Sequence, residues 1–181
     1  MELFEKTINT SYVFKGKIIN VKIDDVELPN GNKSFREIVE HNGGVCVLPI
    51  DENDNIYMVK QFRSPYKEAL LEIPAGKKER DEQPIDCGIR ELKEEIGAVA
   101  KNIIPLGTMY PTPAYCGEKI WIFAATNLQF EEQKLDEDEF LNVEKIPLDK
   151  AIDMVLNDEL RDAKTQVAIL KAKALKEQGK L

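Results

Sequence analysis

The amino-acid sequence predicts an α+β fold, with layers of strands packed against helices. Two kinds of periodicity support this prediction. Apolar and polar residues alternate along several segments, as they do in strands with one buried face. Three other segments have helical spacing, at 84–96, at about 148–156 and at about 162–176. No internal repeat or low-complexity tract divides the chain.

Composition limits the kinds of protein that this chain can be. Of its 181 residues 43% are hydrophobic and 32% are charged, which is typical of a soluble globular protein. The net charge of −8 argues against nucleic acid or an anionic membrane as a partner. The three cysteines form no C-x-x-C pair, so neither a disulfide framework nor a zinc site is expected. No apolar run approaches the ~20 residues of a membrane span, and we expect a cytoplasmic location.

The strands are predicted from alternation and from turn residues between them. The dipeptide Asn30-Gly31 predicts a hairpin, and a second hairpin is expected across residues 51–55 between two central strands. The predicted strands are 12–28, 34–40, 46–50, 56–59, 70–73, 103–109, 120–125 and 140–146.

The helix at 84–96 has clear end signals. Pro84 suits its first position and Gly97 suits its end. At about 100° per residue, four apolar side chains fall on one stripe, which we expect to be the buried face. They are Ile85, Ile89, Leu92 and Ile96.

The same helix carries three glutamates on another arc, Glu91, Glu94 and Glu95. Like charges at this spacing cost a few tenths of a kcal/mol per pair, and the helix dipole disfavours anions in the last turns. Such a run is often only a solvated face. A bound cation would also explain it, and oxygen ligands favour Mg²⁺, with Mn²⁺ as the alternative.

The residues around these glutamates have a fixed spacing. Gly76, Glu82, Arg90-Glu91-Leu92, Glu94-Glu95 and Gly97 follow the pattern G-x5-E-x7-R-E-U-x-E-E-x-G-U, where U is a bulky aliphatic residue. Only the last position departs from it, because Ala98 is small. The segment resembles the Nudix box of hydrolases that cut a diphosphate linked to another group.

The resemblance implies a more specific fold. It implies a mixed β-sheet sandwiched between helices, with an N-terminal β-hairpin extension. Residues 1–42 would form N-terminal strands used in dimerisation, and residues 43–181 would form one compact Nudix hydrolase domain. The expected assembly is a homodimer.

Segments outside the box resemble the ADP-ribose pyrophosphatase branch of the family. These segments are 35–41, 61–63, 71–76, 111–118, 135–139 and 162–165. Ala114 replaces the usual glycine after Pro113, which leaves open another small-molecule nucleotide diphosphate, such as GDP-mannose. A catalytically silent nucleotide sensor is the alternative of another class, although an intact set of box glutamates argues against it.

The resemblance also implies roles for single residues. The metal would be held by Ala75 through its carbonyl, Glu91, Glu95 and Glu139. Glu137 would be the general base, with Glu139 as the alternative, and Glu94, close behind the metal ligands, would be a second catalytic residue. Substrate would be bound by Arg36 and Glu37 of a second copy, and by Arg63, Lys77, Pro113 and Glu118. Gly76, Glu82, Arg90 and Gly97 would form the scaffold of the box, with an ion pair between Glu82 and Arg90.

Overall fold

The computed structural model describes residues 3–137 and 139–181, and it has the predicted α+β architecture. The strands are β1 (Lys6–Lys15), β2 (Ile19–Glu27), β3 (Lys33–His41), β4 (Gly44–Pro49), β5 (Asn55–Arg63), β6 (Glu68–Glu72), β7 (Ala75–Lys77), β8 (Ala98–Met109), β9 (Ile120–Phe130) and β10 (Leu141–Pro147). The helices are α1 (Pro84–Ile96), α2 (Leu148–Leu156) and α3 (Ala163–Glu177). In the part of the chain that the structure describes, none of them is long and apolar enough to cross a membrane.

The described residues group into two compact units. One contains the chain up to Gly43 together with Tyr110–Lys119, and the other contains Gly44–Met109 with Ile120–Leu181. The segment 110–119 therefore belongs with the N-terminal strands, to which it is tied by hydrogen bonds from Val39 N to Tyr115 O and from Gly117 N to Val39 O, both 2.8 Å. The division at residue 42 and its use in dimerisation stay predictions.

The first unit contains a three-stranded antiparallel sheet in the order β1-β2-β3. The Asn30-Gly31 hairpin is confirmed, with Leu28 N bonded to Asn32 O at 2.8 Å. The single strand expected over 12–28 is wrong, because the chain reverses after Gly16, whose N–H donates to Ile19 O at 3.0 Å. A side chain at Gly16 would lie 2.5 Å from the ring of Phe14, so this tight turn depends on glycine.

The second unit is built on a mixed sheet in the order β7-β4-β9-β8, in which β4 and β9 run parallel. Successive residues of β4 face opposite sides of this sheet. Val45 and Val47 pack in one core with Leu92 of α1. On the other side, Cys46 and Leu48 share a second core with residues of α2 and α3. Helices therefore cover both faces, which confirms the predicted sandwich.

The third sheet has the order β10-β5-β6 and also lies in the second unit. The predicted hairpin of two paired strands around residues 51–55 is wrong, because β4 and β5 lie in different sheets and share only the bridge Ile50–Ile56. Both edges of β4 are already paired, one with β7 and the other with β9. The short strand β7 was not predicted, since Pro74-Ala75-Gly76 has the composition of a turn.

The turn between β4 and β5 is organised by the buried carboxylate of Asp51. Its Oδ1 accepts the N–H groups of Asn53 and Asn55, both at 2.9 Å, and its Oδ2 lies 2.7 Å from Lys145 Nζ. Burial alone would raise the pKa of Asp51, but the Lys145 hydrogen bond and the two backbone N–H groups outweigh it and lower the pKa to about 2. The ionised form therefore stabilises the fold.

Asp51→Asn is expected to lower the melting temperature at pH 7. A depressed folded-state pKa gives stability that is present above the unfolded pKa of about 4 and is lost as the pH falls through about 2. Urea unfolding of the wild type and the variant between pH 7 and pH 2 checks this. The difference between them should shrink below pH 4, whereas a constant difference would show that the charge of Asp51 contributes nothing.

Candidate active site

Helix α1 has the predicted ends, and Gly97 follows it with a φ of 66°, in the left-handed region. Its buried face differs from the predicted stripe, because Ile85 is 41% exposed and Ile89 is 45% exposed. The helix instead turns Gly88 towards β4, where a Cβ would lie 3.1 Å from Val47. Because α1 lies this close to β4 at Gly88, the glutamates on the same face of the helix are buried.

Glu91 lies directly against the backbone of Gly76 on β7. A Cβ added to Gly76 would be 1.7 Å from Oε1 of Glu91, so only glycine leaves room for this carboxylate. The pairing of Gly76 with Val45 fixes the strand beneath it. Burial, partly offset by the positive charge of Arg90, raises the pKa of Glu91.

Glu95 is the most deeply buried of the three box glutamates, with 2% of its surface exposed. Its Oε2 accepts a hydrogen bond of 2.9 Å from the N–H of Ala75. Burial raises the pKa of Glu95; the Ala75 hydrogen bond opposes this, the negative charges of Glu91 and Glu139 reinforce it, and the resulting pKa is about 8. This carboxylate would be strongly stabilised by a nearby cation.

Arg90 joins the glutamates of the box to the preceding loop. Its Nη1 donates to Glu91 at 2.8 Å and to Glu94 at 2.9 Å, and its Nε lies 3.1 Å from Glu82 Oε1. The predicted ion pair between Arg90 and Glu82 is therefore present. Lys77 ends β7 with an exposed side chain, and its carbonyl oxygen accepts a hydrogen bond of 3.4 Å from Arg90 Nη2.

Arg63 makes a contact that the sequence did not predict. Its Nε and Nη2 bond the two carboxylate oxygens of Glu72, each at 2.7 Å. Glu72 is 2% exposed and is also paired with Lys164 from the start of α3. The positive charge of Arg63 also opposes the rise in the pKa of Glu95. A glutamate within the apolar run 70–73 was the available signal for Glu72.

The acidic loop, residues 135–139, supplies one carboxylate whose charge affects Glu91 and Glu95. Glu139 is half-buried, its N–H donates to Asp136 O at 3.0 Å, and its charge raises the pKa of both Glu91 and Glu95. Glu137 is exposed. Residue 138 lies outside the described residues.

Four of the predicted substrate residues lie in the first unit. Arg36 forms a two-point ion pair with Glu5, with its Nε 2.9 Å from Oε2. Glu118 Oε1 is 3.5 Å from His41 Nδ1. Glu37 and Pro113 are exposed.

The chemistry of the buried carboxylates fits a divalent cation. Within residues 3–137 and 139–181, no three His, Cys, Asp or Glu side chains are already arranged around a metal position. Nevertheless, Glu91 and Glu95 are oxygen donors of the kind that Mg²⁺ prefers, and their mutual repulsion would be relieved by a cation. The donor set therefore fits the metal that the sequence predicts.

Comparison with known proteins agrees with this fold. Residues 40–168 match the model of the NUDIX domain, and residues 5–39 match that of the nucleoside diphosphate sugar hydrolase N-terminal domain. The chain therefore belongs to the Nudix hydrolase family.

Two curated relatives span nearly the whole chain. An ADP-ribose pyrophosphatase of Bacillus subtilis (strain 168) is 45% identical over 169 residues, which cover 92% of this chain and 91% of that protein. A methanol dehydrogenase activator of Bacillus methanolicus is 40% identical over 167 residues, covering 91% and 90%. The crystal structure of an ADP compounds hydrolase superimposes with a TM-score of 0.86 over 100% of both chains; at 24% identity this likeness shows the fold alone.

Proposed function

We propose that this protein hydrolyses the diphosphate bond of ADP-ribose and gives AMP and ribose 5-phosphate, using Mg²⁺ or, as the alternative, Mn²⁺. The observation that carries the proposal is the pair of buried carboxylates, Glu91 and Glu95, at the junction of β7 and α1. A soluble helix face would not bury two such groups side by side. The similarity to the Bacillus subtilis ADP-ribose pyrophosphatase supports the choice of substrate.

In this proposal Glu91, Glu95 and the carbonyl of Ala75 hold the cation, and Glu139 adds a ligand. When bound, the cation would neutralise the diphosphate oxygens and stabilise the displacement at phosphorus. Gly76 keeps Glu91 in place, and the Ala75 N–H orients Glu95. Arg90 balances part of the negative charge and holds Glu94 beside the site.

A carboxylate of the acidic loop would act as the general base. Water attacks one phosphorus, the bridging P–O bond breaks, and the proton of the water passes to this carboxylate. The sequence favoured Glu137 in this role. Glu137, which is exposed, keeps this role, because the partial burial of Glu139 and its charge effect on Glu91 and Glu95 support Glu139 as the added ligand.

Arg63 would bind a substrate phosphate. Its Nε and Nη2 are occupied by Glu72, whereas Nη1 donates to no described residue and stays available for a phosphate oxygen. Lys77 would assist it. Pro113 and Glu118 would contact the sugar end, and Arg36 and Glu37 of a second copy would hold the adenosine. The homodimer and the cytoplasmic location stay predictions.

A phosphate-release assay on purified protein tests the proposal. The protein is incubated with Mg²⁺ and a panel that includes ADP-ribose and GDP-mannose, and a phosphatase then releases phosphate from products but not from intact substrates. We expect the highest kcat/KM on ADP-ribose and no signal with chelator. A higher kcat/KM on GDP-mannose would show that a different substrate is preferred and that the same bond is hydrolysed. If no phosphate is released from any substrate of the panel, a nucleotide sensor is favoured.

A further inference from the structure

A second group of charges, built around the buried Glu72, lies beside the box, at the start of α3. Lys164 Nζ pairs with Glu72 and lies 3.0 Å from Asp162 Oδ1, and the side chain of Lys164 is only 12% exposed. Glu72 is shared, since its other partner is Arg63. The four side chains carry two positive and two negative charges, so the group is neutral as a whole.

Without the positive charge of Lys164, this group of side chains would have a net negative charge. Burial opposes charge on Glu72, yet the hydrogen bonds and charges of Arg63 and Lys164 outweigh it and lower the pKa of Glu72. Removal of Lys164 would leave Arg63 as the one cation of this group beside Glu72. Asp162 would stay in place, because its Oδ2 accepts the N–H of Thr165 at 3.0 Å, so the guanidinium of Arg63 is the partner that would rearrange.

The same helix end also holds the backbone that leads into the box. The Thr165 hydroxyl donates to Asp162 Oδ2 at 2.6 Å and accepts the N–H of Ile73 at 2.9 Å. Two residues after Ile73, the N–H of Ala75 reaches Glu95. The start of α3 is therefore connected both to the guanidinium and to the strand that supports the buried carboxylates.

We propose that Lys164 is a positioning residue, which through Glu72 fixes the guanidinium of Arg63 so that its Nη1 edge meets the substrate diphosphate. The proposal rests on the proposed function, in which Arg63 binds phosphate. Lys164 itself touches no substrate. Its effect on the reaction therefore depends on the presence of Arg63.

The first test replaces Lys164 by methionine, which has a similar shape and no charge. We expect kcat/KM to fall about 10- to 100-fold, because a misplacement of about 1 Å can cost this much. Lys173→Met is the matched control: Lys173 lies on the same helix but pairs with the exposed Asp149 at the surface. Its kcat/KM should stay within twofold of the wild type.

A double-mutant cycle separates positioning from a general loss of stability. In an Arg63→Ala background, Lys164→Met should lower kcat/KM by less than a further twofold, because Lys164 acts on the reaction only through Arg63. An equal fold-loss in both backgrounds would overturn the proposal. If Lys164→Met does not fold, Lys164→Gln replaces it; because glutamine keeps a donor for Glu72, kcat/KM should fall less than the 10- to 100-fold expected for methionine, and again only when Arg63 is present.

A spectroscopic measurement keeps the proposal testable even if the protein hydrolyses no diphosphate. The Nε–H of Arg63, assigned by its loss in Arg63→Lys, should give a slowly exchanging signal in ¹H–¹⁵N spectra because it is bonded to Glu72. Lys164→Met should broaden it or speed its exchange, and Lys173→Met should not. A signal that is unchanged in Lys164→Met would overturn the proposal. If the wild-type protein hydrolyses no diphosphate but the signal still changes in Lys164→Met, only the proposed function is refuted.

Discussion

Glu95→Gln is expected to lower kcat on ADP-ribose by about 10³-fold or more, because a metal ligand supplies several kcal/mol of transition-state stabilisation and each 1.4 kcal/mol is a factor of ten. The folded state should persist. Burial and the negative neighbours raise the pKa of Glu95 from 4.5 to about 8, so the folded state loses stability as the pH rises above about 4.5, and the loss is complete above about 8. A neutral amide of the same shape removes this cost.

Steady-state kinetics and thermal unfolding of the metal-free protein check this prediction together. The melting temperature of Glu95→Gln should equal or exceed that of the wild type. Glu159→Gln, at an exposed position, is the control for the same chemical change. A variant with nearly normal kcat, or one that does not fold, would contradict the assignment of Glu95 as a metal ligand.

Gly76→Ala is expected to have the second largest effect. The added methyl group would lie 1.7 Å from Oε1 of Glu91 and 2.4 Å from Oε2, so the carboxylate must rotate away. Rotation of a flexible side chain costs little stability, about 1 kcal/mol. It moves a proposed ligand by more than 1 Å, however, and kcat/KM should fall about 100-fold.

Gly31→Ala is a control for the stability effect of the same substitution. Gly31 lies in the β2–β3 turn with a φ of 83°, and a Cβ there meets nothing within 4 Å. Alanine in this conformation costs about 1–2 kcal/mol of stability. We expect Gly31→Ala to lower the melting temperature at least as much as Gly76→Ala while kcat/KM stays normal. Normal activity in Gly76→Ala would show that the position of Glu91 is unimportant.

Local signals explain which parts of the fold could be predicted. Pro84 and Gly97 mark the ends of α1 through their own backbone preferences, and the Asn30-Gly31 turn and the helices α2 and α3 have equally local signals. The buried face of α1 depends on Gly88 against β4, which helical periodicity does not contain. Likewise, β4 separates from β5 because its edges are taken by strands that are distant in sequence or very short.

The candidate site also has parts that the sequence predicted and parts that it did not. The box glutamates were predicted from their spacing, and the structure buries two of them. Arg63 was predicted as a phosphate-binding residue, but its pairing with Glu72 on the adjacent strand was not. The second partner of Glu72, Lys164, lies 92 residues away and meets it only in the folded chain. Contacts of this kind leave no periodic pattern in the sequence.

The most direct test of the account is ³¹P NMR of one sample that contains the protein, ADP-ribose and Mg²⁺. The diphosphate resonances should disappear, and two monophosphate resonances, those of AMP and ribose 5-phosphate, should grow in equal amounts. Addition of EDTA should stop the change, and excess Mg²⁺ should restart it. Diphosphate resonances that persist with Mg²⁺, or that disappear equally fast with EDTA, would contradict metal-dependent hydrolysis at Glu91 and Glu95.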